Sequence, residues 1–203
     1  RKTVRHLAVL SDRLIAVQAG QRDIYFYKIE KNGNMEKLYD VDTYAMLYYR
    51  NLCPNIFGGR YFAYTSLNYG INWFEINDGV VKQLSYSLNI ESCPIEDGMA
   101  VHGNCIIVIS RGRYGVLKDI QQTENVAFLT GLDHKFKGTP FVFGDKLILL
   151  NRCLFYADVF DISDVYSPAF IGRASLPRPS SAECIDGKVY VCCGHNGIYE
   201  LEI

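Results

Sequence analysis

Residues 159–172 read Val-Phe-Asp-Ile-Ser-Asp-Val-Tyr-Ser-Pro-Ala-Phe-Ile-Gly, and the pair Asp161-Ile162 inside this stretch returns along the chain. A charged residue followed by isoleucine closes five apolar runs, which end at Ile29, Ile76, Ile120, Ile162 and Ile203. The intervals between these isoleucines are 47, 44, 42 and 41 residues. A nearly constant period of this length is typical of propellers, solenoids and arrays, so the sequence predicts a repeat protein.

A turn residue keeps the same phase as the repeated isoleucine. It lies 16 to 18 residues before each isoleucine, at Asp12, Gly59, Gly103, Gly144 and Gly187. Two anchors that stay in phase over the whole chain indicate one structural unit repeated five times.

Each unit contains short apolar runs of the kind that form buried strands. One run follows the turn residue, as at residues 147–150, and a second ends at the repeated isoleucine. A third begins after a polar turn, and a fourth precedes the next turn residue. Four antiparallel strands in about 40 residues is the size of a propeller blade. We therefore predict an all-β fold, a β-propeller of five repeats of about four antiparallel strands, forming a single domain over residues 1–203.

The last repeat is predicted to be incomplete, because it stops at Ile203, the end of its third strand. A strand donated by the N-terminus would remove the open sheet edge. Residues 6–10 are predicted as the inner strand of the first repeat, however, so residues 1–5 offer only a stub. Two architectures stay open: a five-bladed ring, or part of a larger propeller whose last blade is completed by missing sequence or by a partner.

The composition indicates a soluble globular protein. The chain is 49% apolar, 13% aromatic and 21% charged, with a net charge of −1. It lacks the basic excess of nucleic-acid-binding domains, so no nucleic-acid partner is predicted. No stretch approaches the roughly 20 apolar residues of a membrane span, and no signal peptide is visible. Because the chain begins with Arg1 and not with Met, a processed or trimmed start stays open, and with it the compartment.

Residues 159–172 resemble the LVIVD repeat of bacterial β-propellers. Supporting matches are residues 187–191 with 197–199 in the fifth unit, and residues 115–120 in the third. The first two units depart from that pattern, because residues 31–34 and 77–79 replace its Ser-Asp-Pro turn with hairpin sequences. The resemblance implies a propeller, commonly extracytoplasmic or on the cell surface, usually without enzymatic activity. It carries over no catalytic residue.

Catalytic signatures are missing from the sequence. It has no Gly-x-Ser-x-Gly elbow, His-Glu-x-x-His motif, phosphate loop or Cys-x-x-Cys pair, and its four histidines are scattered. No catalytic residue and no cofactor are predicted, and the chain is interpreted as more a binding protein than an enzyme.

The seven cysteines are predicted to be mainly free thiols that pack as small hydrophobic residues. Those in or beside predicted strands are Cys105, Cys153, Cys184, Cys192 and Cys193. Cys53 and Cys93 precede successive blades at similar places and are the first pair to test for a disulfide bond. Cys192 and Cys193 are not predicted to share a metal, because adjacent strand residues point to opposite faces.

Arginine and aromatic residues gather at one edge of the predicted propeller. We call this edge the rim; it contains the turns between the second and third strands and the links between blades. Seven of the eleven arginines fall there, namely Arg22, Arg50, Arg111, Arg113, Arg152, Arg173 and Arg178. The rim also receives Tyr48, Tyr49, Tyr69, Tyr114, Phe155 and His195.

These residue types are enriched in binding hot spots. We predict a ligand site formed by Arg22, Tyr69, Arg111, Arg113, Tyr114, Arg152, Phe155 and His195, with a protein, peptide or glycan as partner. The alternative is that the arginines only balance acidic residues of the same loops, which are Asp23, Asp42, Glu91, Glu96, Asp97 and Asp133.

A second function stays open at the predicted central channel. His6, Asn55, Asp97 and Glu183 are placed at the mouth ends of the innermost strands. Carboxylate and amide oxygens are the ligands of hard divalent cations, so these residues predict the metal site of a lactonase-like hydrolase. The same positions are equally typical of a solvated entrance.

Overall fold

The computed structural model describes residues 3–20, 23–42, 52–56, 59–66, 70–77, 80–85, 97–118 and 127–202. Within these residues the chain forms five antiparallel sheets, four of four strands and a last one of three. In every sheet the spatial order of the strands follows the chain, so each repeat is one sheet. The all-β fold, the five repeats and the three-stranded last repeat are confirmed.

The strands run in chain order from β1 to β19. The first two sheets comprise β1 (Val4–Ser11), β2 (Leu14–Ala19), β3 (Asp23–Ile29), β4 (Met35–Asp42), β5 (Leu52–Ile56), β6 (Tyr61–Ser66), β7 (Gly70–Asn77) and β8 (Val80–Ser85). The third and fourth comprise β9 (Gly98–His102), β10 (Cys105–Ser110), β11 (Arg113–Leu117), β12 (Ala127–Phe128), β13 (Thr139–Phe143), β14 (Lys146–Asn151), β15 (Tyr156–Asp161) and β16 (Ala169–Ser175). The fifth comprises β17 (Ser181–Ile185), β18 (Lys188–Cys192) and β19 (Ile198–Leu201), with a 3-10 turn at Gly194–Asn196.

The repeated isoleucine has a defined hydrogen-bonding role. The backbone N–H of Ile29 donates to the carbonyl of Arg13 at 2.7 Å, and that of Ile76 to Arg60 at 2.7 Å. The N–H of Ile162 donates to Asp145 at 2.8 Å in the same way. Each acceptor directly follows the turn residue of its repeat. This bond joins the end of the third strand to the start of the second, which explains why the two anchors keep a constant separation.

Apolar side chains pack between successive sheets. Phe26, Phe62 and Phe74 fill the space between the first and second sheets, with ring centroids 5.3 to 5.9 Å apart. Ile107 and Phe160 belong to the cluster between the third and fourth sheets. Full burial of such a side chain stabilises the fold by roughly 1.5–3 kcal/mol. The inner strands of neighbouring sheets also contact one another, β1 with β5, β5 with β9 and β9 with β13.

The N-terminal segment differs from the prediction. The inner strand of the first sheet begins at Val4 and ends at Ser11, instead of covering residues 6–10. Val4 and Arg5 therefore belong to the first sheet, and they are not available as a stub for the fifth. No helix among the described residues is long and apolar enough to span a membrane.

No disulfide bond joins the described cysteines, and their burial is uneven. Cys193 is buried, as predicted, while Cys105 and Cys192 are half-buried. The prediction of burial is wrong for Cys153 and Cys184, which are exposed. Cys153 lies in the turn after β14, and Cys184 lies in β17, an edge strand of the last sheet. The proposed Cys53–Cys93 bond involves side chains outside the described ones.

Candidate ligand-binding site

Three segments of the rim meet at a pocket between the fourth and fifth sheets. The pocket has a volume of about 460 Å³. It is lined by Phe155 from the β14–β15 turn, His195 and Asn196 from the 3-10 turn, and Ser175, Leu176, Pro177 and Arg178 from the end of β16 and the link to β17. Of the predicted ligand residues, Phe155 and His195 are brought together here.

Hydrogen bonds hold the three segments in place. The N–H of Leu176 donates to the carbonyl of Phe155 at 2.9 Å, which ties the link to the β14–β15 turn. The N–H and Oγ of Ser180 donate to the carbonyl of Cys192 at 2.8 and 2.9 Å. The side-chain amide of Asn196 donates to the carbonyl of Pro177 at 3.4 Å. The pocket is therefore built from backbone that is bonded across all three segments.

Two lining residues have strained backbones. Phe155 has φ +60° and Arg178 has φ +54°, in the left-handed region that bulky residues rarely adopt. Arg178 also precedes Pro179, and a residue before proline favours an extended conformation with negative φ. Strain of this kind persists only where neighbouring structure enforces it, and it clusters at ligand clamps and active sites. Because two residues of one pocket are strained in this way, this part of the rim is a candidate binding site.

The lining has a distinct chemical character. Phe155 is 49% exposed, and Pro177 and Leu176 add further apolar surface. Arg178 supplies a permanent positive charge, and His195 an imidazole that can donate or accept a hydrogen bond. No carboxylate is among the seven lining residues. An apolar wall beside a cation suits a ligand that joins an anionic group to an apolar one.

The other predicted rim residues do not line the pocket, or they lie outside the residues that the structure describes. Arg111 is exposed in the β10–β11 turn with φ +51°, and Arg152 is exposed in the β14–β15 turn, but neither lines the pocket. Arg113 is exposed, with its guanidinium carbon 4.3 Å from the centroid of the Phe128 ring. Arg22 and Tyr69 lie outside the described residues.

Tyr114 does not reach the surface of the rim. It is the second residue of β11, and its side chain is fully buried, with its ring centroid 5.0 Å from that of Phe136. Its hydroxyl has no hydrogen-bond partner among the described residues. Burial raises the pKa of the Tyr114 hydroxyl well above its usual range. This residue contributes to the core between the third and fourth sheets and not to a ligand surface.

Arg173 lies inside β16 and not in a link. Its guanidinium pairs with the carboxylate of Asp158 in β15 and lies over the ring of Tyr156, with the guanidinium carbon 3.8 Å from the centroid. His134 Nε2 lies 3.5 Å from the same carboxylate, and the His134 ring stacks on Phe170. The hydrogen bond to Asp158 raises the pKa of Arg173. The sequence analysis does not predict this cluster. The feature that could have indicated it is Asp158, a charged residue within an apolar strand.

The residues of the alternative metal site are only partly described. Asp97 is half-buried, and its Oδ1 accepts a hydrogen bond from the N–H of Gly138 at 3.3 Å. Glu183 is exposed in β17. The side chains of His6 and Asn55 are outside the described ones. Where side chains are described, no three His, Cys, Asp or Glu residues come together as a metal site.

No family model and no curated protein matches this sequence. Solved structures do match its fold. The periplasmic gluconolactonase PpgL of Pseudomonas aeruginosa aligns at TM-score 0.63 and 12% identity over 88% of this chain and 61% of its own. BamB from Moraxella catarrhalis aligns at TM-score 0.55 and 12% identity over 93% and 66%. A Lactobacillus plantarum protein aligns at TM-score 0.59 and 14% identity over 88% and 57%.

PpgL and BamB are β-propeller proteins, and at these low identities the likeness concerns the fold alone. This chain spans between 57% and 66% of the length of the three structures. The chain therefore has the β-propeller fold that its sequence predicts.

Proposed function

We propose that this chain is a non-catalytic binding module of a β-propeller, and that its rim binds a segment of a peptide or protein at the pocket between the fourth and fifth sheets. The observation that carries the proposal is the convergence of Phe155, Arg178 and His195 on one pocket, two of them with strained backbones. Strain held at a surface pocket is a reason to look for a ligand there.

The size and rigidity of the pocket support this proposal. Its volume of about 460 Å³ falls within the roughly 300–1,000 Å³ of known small-ligand sites. The backbone bonds between its three segments mean that little order has to be gained on binding, which favours affinity. Arginine and aromatic residues are the types that dominate binding energy at protein interfaces.

The chemistry of the lining favours a peptide over a glycan. Sugar hydroxyls need several paired donors and acceptors, and the pocket offers few. The side-chain N–H groups of Asn196 already donate to the carbonyls of Pro177 and Cys193. The remaining lining surface is mainly apolar, with one hydroxyl from Ser175, one guanidinium and one imidazole. The resemblance of residues 159–172 to LVIVD repeats agrees with a binding role and remains part of the proposal.

A selection experiment tests the proposed function. Binders are selected from a random peptide library on the immobilised chain, and their affinities are measured by calorimetry on Phe155→Ala and Arg178→Gln variants. The matched control is Arg13→Gln, which changes an exposed arginine between β1 and β2, on the opposite edge. We expect at least a tenfold loss of affinity in both rim variants and none in the control.

Three results would contradict the proposal. Binders that are insensitive to both rim substitutions would place the site elsewhere, and recognition of glycans in place of peptides would reject the ligand class. The hydrolase would be favoured if the purified protein contained a stoichiometric divalent ion and hydrolysed a lactone, and if substituting Asp97 or Glu183 removed both the ion and the activity. That alternative draws its support from PpgL, which is named a gluconolactonase.

A further inference from the structure

We infer that the pocket is specific for the C-terminus of a peptide, with the terminal carboxylate on Arg178 and an apolar last side chain against Phe155. This inference rests on the proposed function, because it assigns a ligand class to the same pocket.

The electrostatics of the pocket favour an anion. Arg178 is exposed and forms no ion pair with any residue in the part of the chain that the structure describes. None of the seven lining residues is acidic, so nothing in the pocket itself neutralises the guanidinium. A planar guanidinium binds a carboxylate through two parallel hydrogen bonds, which makes such pairs both strong and directional. His195 adds a ring nitrogen that can donate to the same anion.

The apolar wall favours a hydrophobic group close to that anion. Phe155 keeps about half of its surface exposed, although a benzyl side chain gains free energy when it is covered. Pro177 and the buried Leu176 extend this apolar surface towards Arg178 along the link. A ligand that binds both features must carry its carboxylate and its apolar group a short distance apart.

A C-terminal residue has this arrangement on one carbon atom. Its Cα bears both the carboxylate and the side chain, so one residue can satisfy Arg178 and Phe155 together. An internal Asp or Glu also brings a carboxylate, but the apolar group then belongs to another residue, and the chain has to continue out of the pocket. Capture of terminal carboxylates is a recurrent mode of peptide recognition.

The backbone at Arg178 is held in a fixed position. Prolines precede and follow it, at Pro177 and Pro179, and each fixes its own φ. Pro179 is buried, and the next residue, Ser180, is bonded to Cys192 through both its N–H and its Oγ. Arg178 is thereby held at φ +54° between two anchored positions. Because this backbone is already ordered, a carboxylate that binds Arg178 has to order only the arginine side chain and not the link that carries it.

Paired peptides test this inference. Four fluorescent peptides of the form Gly-Ser-Gly-Ser-X, with X as Leu, Ile, Phe or Trp, are each made with a free C-terminal acid and with a C-terminal amide. Binding is followed by fluorescence polarisation. We expect at least one acid to bind at least tenfold more tightly than its amide. Arg178→Gln should abolish this difference, and Arg178→Lys should restore part of it.

Controls distinguish a peptide carboxylate from that of a small acid, and binding at Arg178 from binding at another exposed arginine. Arg152→Gln changes an exposed arginine of the β14–β15 turn that does not line the pocket, and it should leave every affinity unchanged. N-acetylphenylalanine binding as tightly as the best peptide would assign the site to a small acid and overturn the peptide assignment. The assignment would also be overturned if the acid and amide forms bound with equal affinity, or if a peptide with an internal Asp bound as tightly as the best acid. The proposed function would survive that outcome if library-selected peptides still depended on Phe155 and Arg178.

Discussion

The guanidinium of Arg173 forms a two-point ion pair with the carboxylate of Asp158, with distances of 2.6 Å from Nε to Oδ1 and 2.9 Å from Nη2 to Oδ2. The two residues are direct partners on β15 and β16. The Asp158 side chain is fully buried, whereas that of Arg173 is 47% exposed. A buried carboxylate is costly unless it is paired and hydrogen-bonded, so this pair allows a charge to sit inside the fourth sheet.

Removing Arg173 should destabilise the fold more than removing a similar arginine at the surface. Arg173→Ala leaves the Asp158 carboxylate buried beside His134 alone, and we expect a loss of about 2 kcal/mol in the free energy of unfolding. This is less than the roughly 3–5 kcal/mol of a fully buried pair because Arg173 is half exposed. Urea denaturation measures the difference.

Arg60 provides the matched control. Its Nε and Nη2 both contact Oε1 of Glu75, at 3.0 and 2.7 Å, but the Glu75 side chain is 22% exposed, whereas that of Asp158 is fully buried. Arg60→Ala should therefore shift the urea midpoint much less than Arg173→Ala does. Equal shifts in the two variants would mean that burial of Asp158 does not set the strength of the interior pair.

The Asp161 carboxylate should make stability depend on pH in the acid range. Hydrogen bonds from Lys146 Nζ at 2.7 Å, from Ser163 Oγ at 2.6 Å and from the Ser163 N–H at 2.9 Å hold the pKa of Asp161 well below its ordinary value of 3.8. Because the folded pKa lies below the unfolded one, this stabilisation is present above pH 3.8 and is lost as the pH falls towards the folded pKa.

Asp161→Asn should remove that dependence. Wild type should be more stable than the variant at pH 6, and the difference should shrink progressively below pH 3.8 in urea titrations. Asp133→Asn, which changes an exposed aspartate in the segment between β12 and β13, is the control for the general effect of removing one carboxylate. A difference between wild type and Asp161→Asn that is the same at pH 6 and pH 2.5 would contradict the assignment.

The left-handed backbone at Phe155 predicts an unusual order of stabilities. Alanine keeps the steric conflict at φ +60°, whereas glycine adopts this conformation freely. We expect Phe155→Gly to be more stable than Phe155→Ala by about 1 kcal/mol, although glycine normally loses more entropy on folding. Thermal denaturation of both variants measures this order. The opposite order would show that Phe155 is not strained, and would remove one argument for the pocket.

The free thiols should differ sharply in reactivity. Cys153 and Cys184 are exposed, whereas Cys193 is buried and its pKa is raised mainly by that burial. The thiolate is the reactive form, so native protein treated with iodoacetamide should be modified at Cys153 and Cys184 well before Cys193. Peptide mass spectrometry follows each site over time. Modification of Cys193 at the rate of Cys153 would contradict the packing of the last sheet, and protein unfolded in urea gives the reference rates.

The fold could be predicted from the sequence because its signals are local and repeated. The residue after each turn residue and the repeated isoleucine are the two ends of a hydrogen bond that is described in three of the repeats, as at Asp145 and Ile162. The predicted start of β1 is wrong. The strand already includes Val4 and Arg5, and no feature of the sequence marks the residue at which it begins.

The site could be predicted only in part. Phe155 and His195 fall in turns whose position follows from the repeat. The prediction for Tyr114 is wrong because a difference of one position along the chain decides whether a side chain lies in a turn or on the inward face of a strand. The role of Arg178 depends on long-range packing of the link against the 3-10 turn, and no periodic pattern reports such contacts. The pairing of Asp158 with Arg173 likewise needs the register of β15 and β16.

A map of where a bound peptide touches the chain tests the proposed binding site most directly. Amide chemical shifts of isotope-labelled protein are recorded while a library-selected peptide is added in steps. We predict that the largest shifts occur together at residues 154–156, 175–178 and 194–197, and that Arg178→Gln suppresses them. Shifts concentrated at the inner strands or at the turns after β1, β9 and β13, with the pocket unchanged, would contradict it.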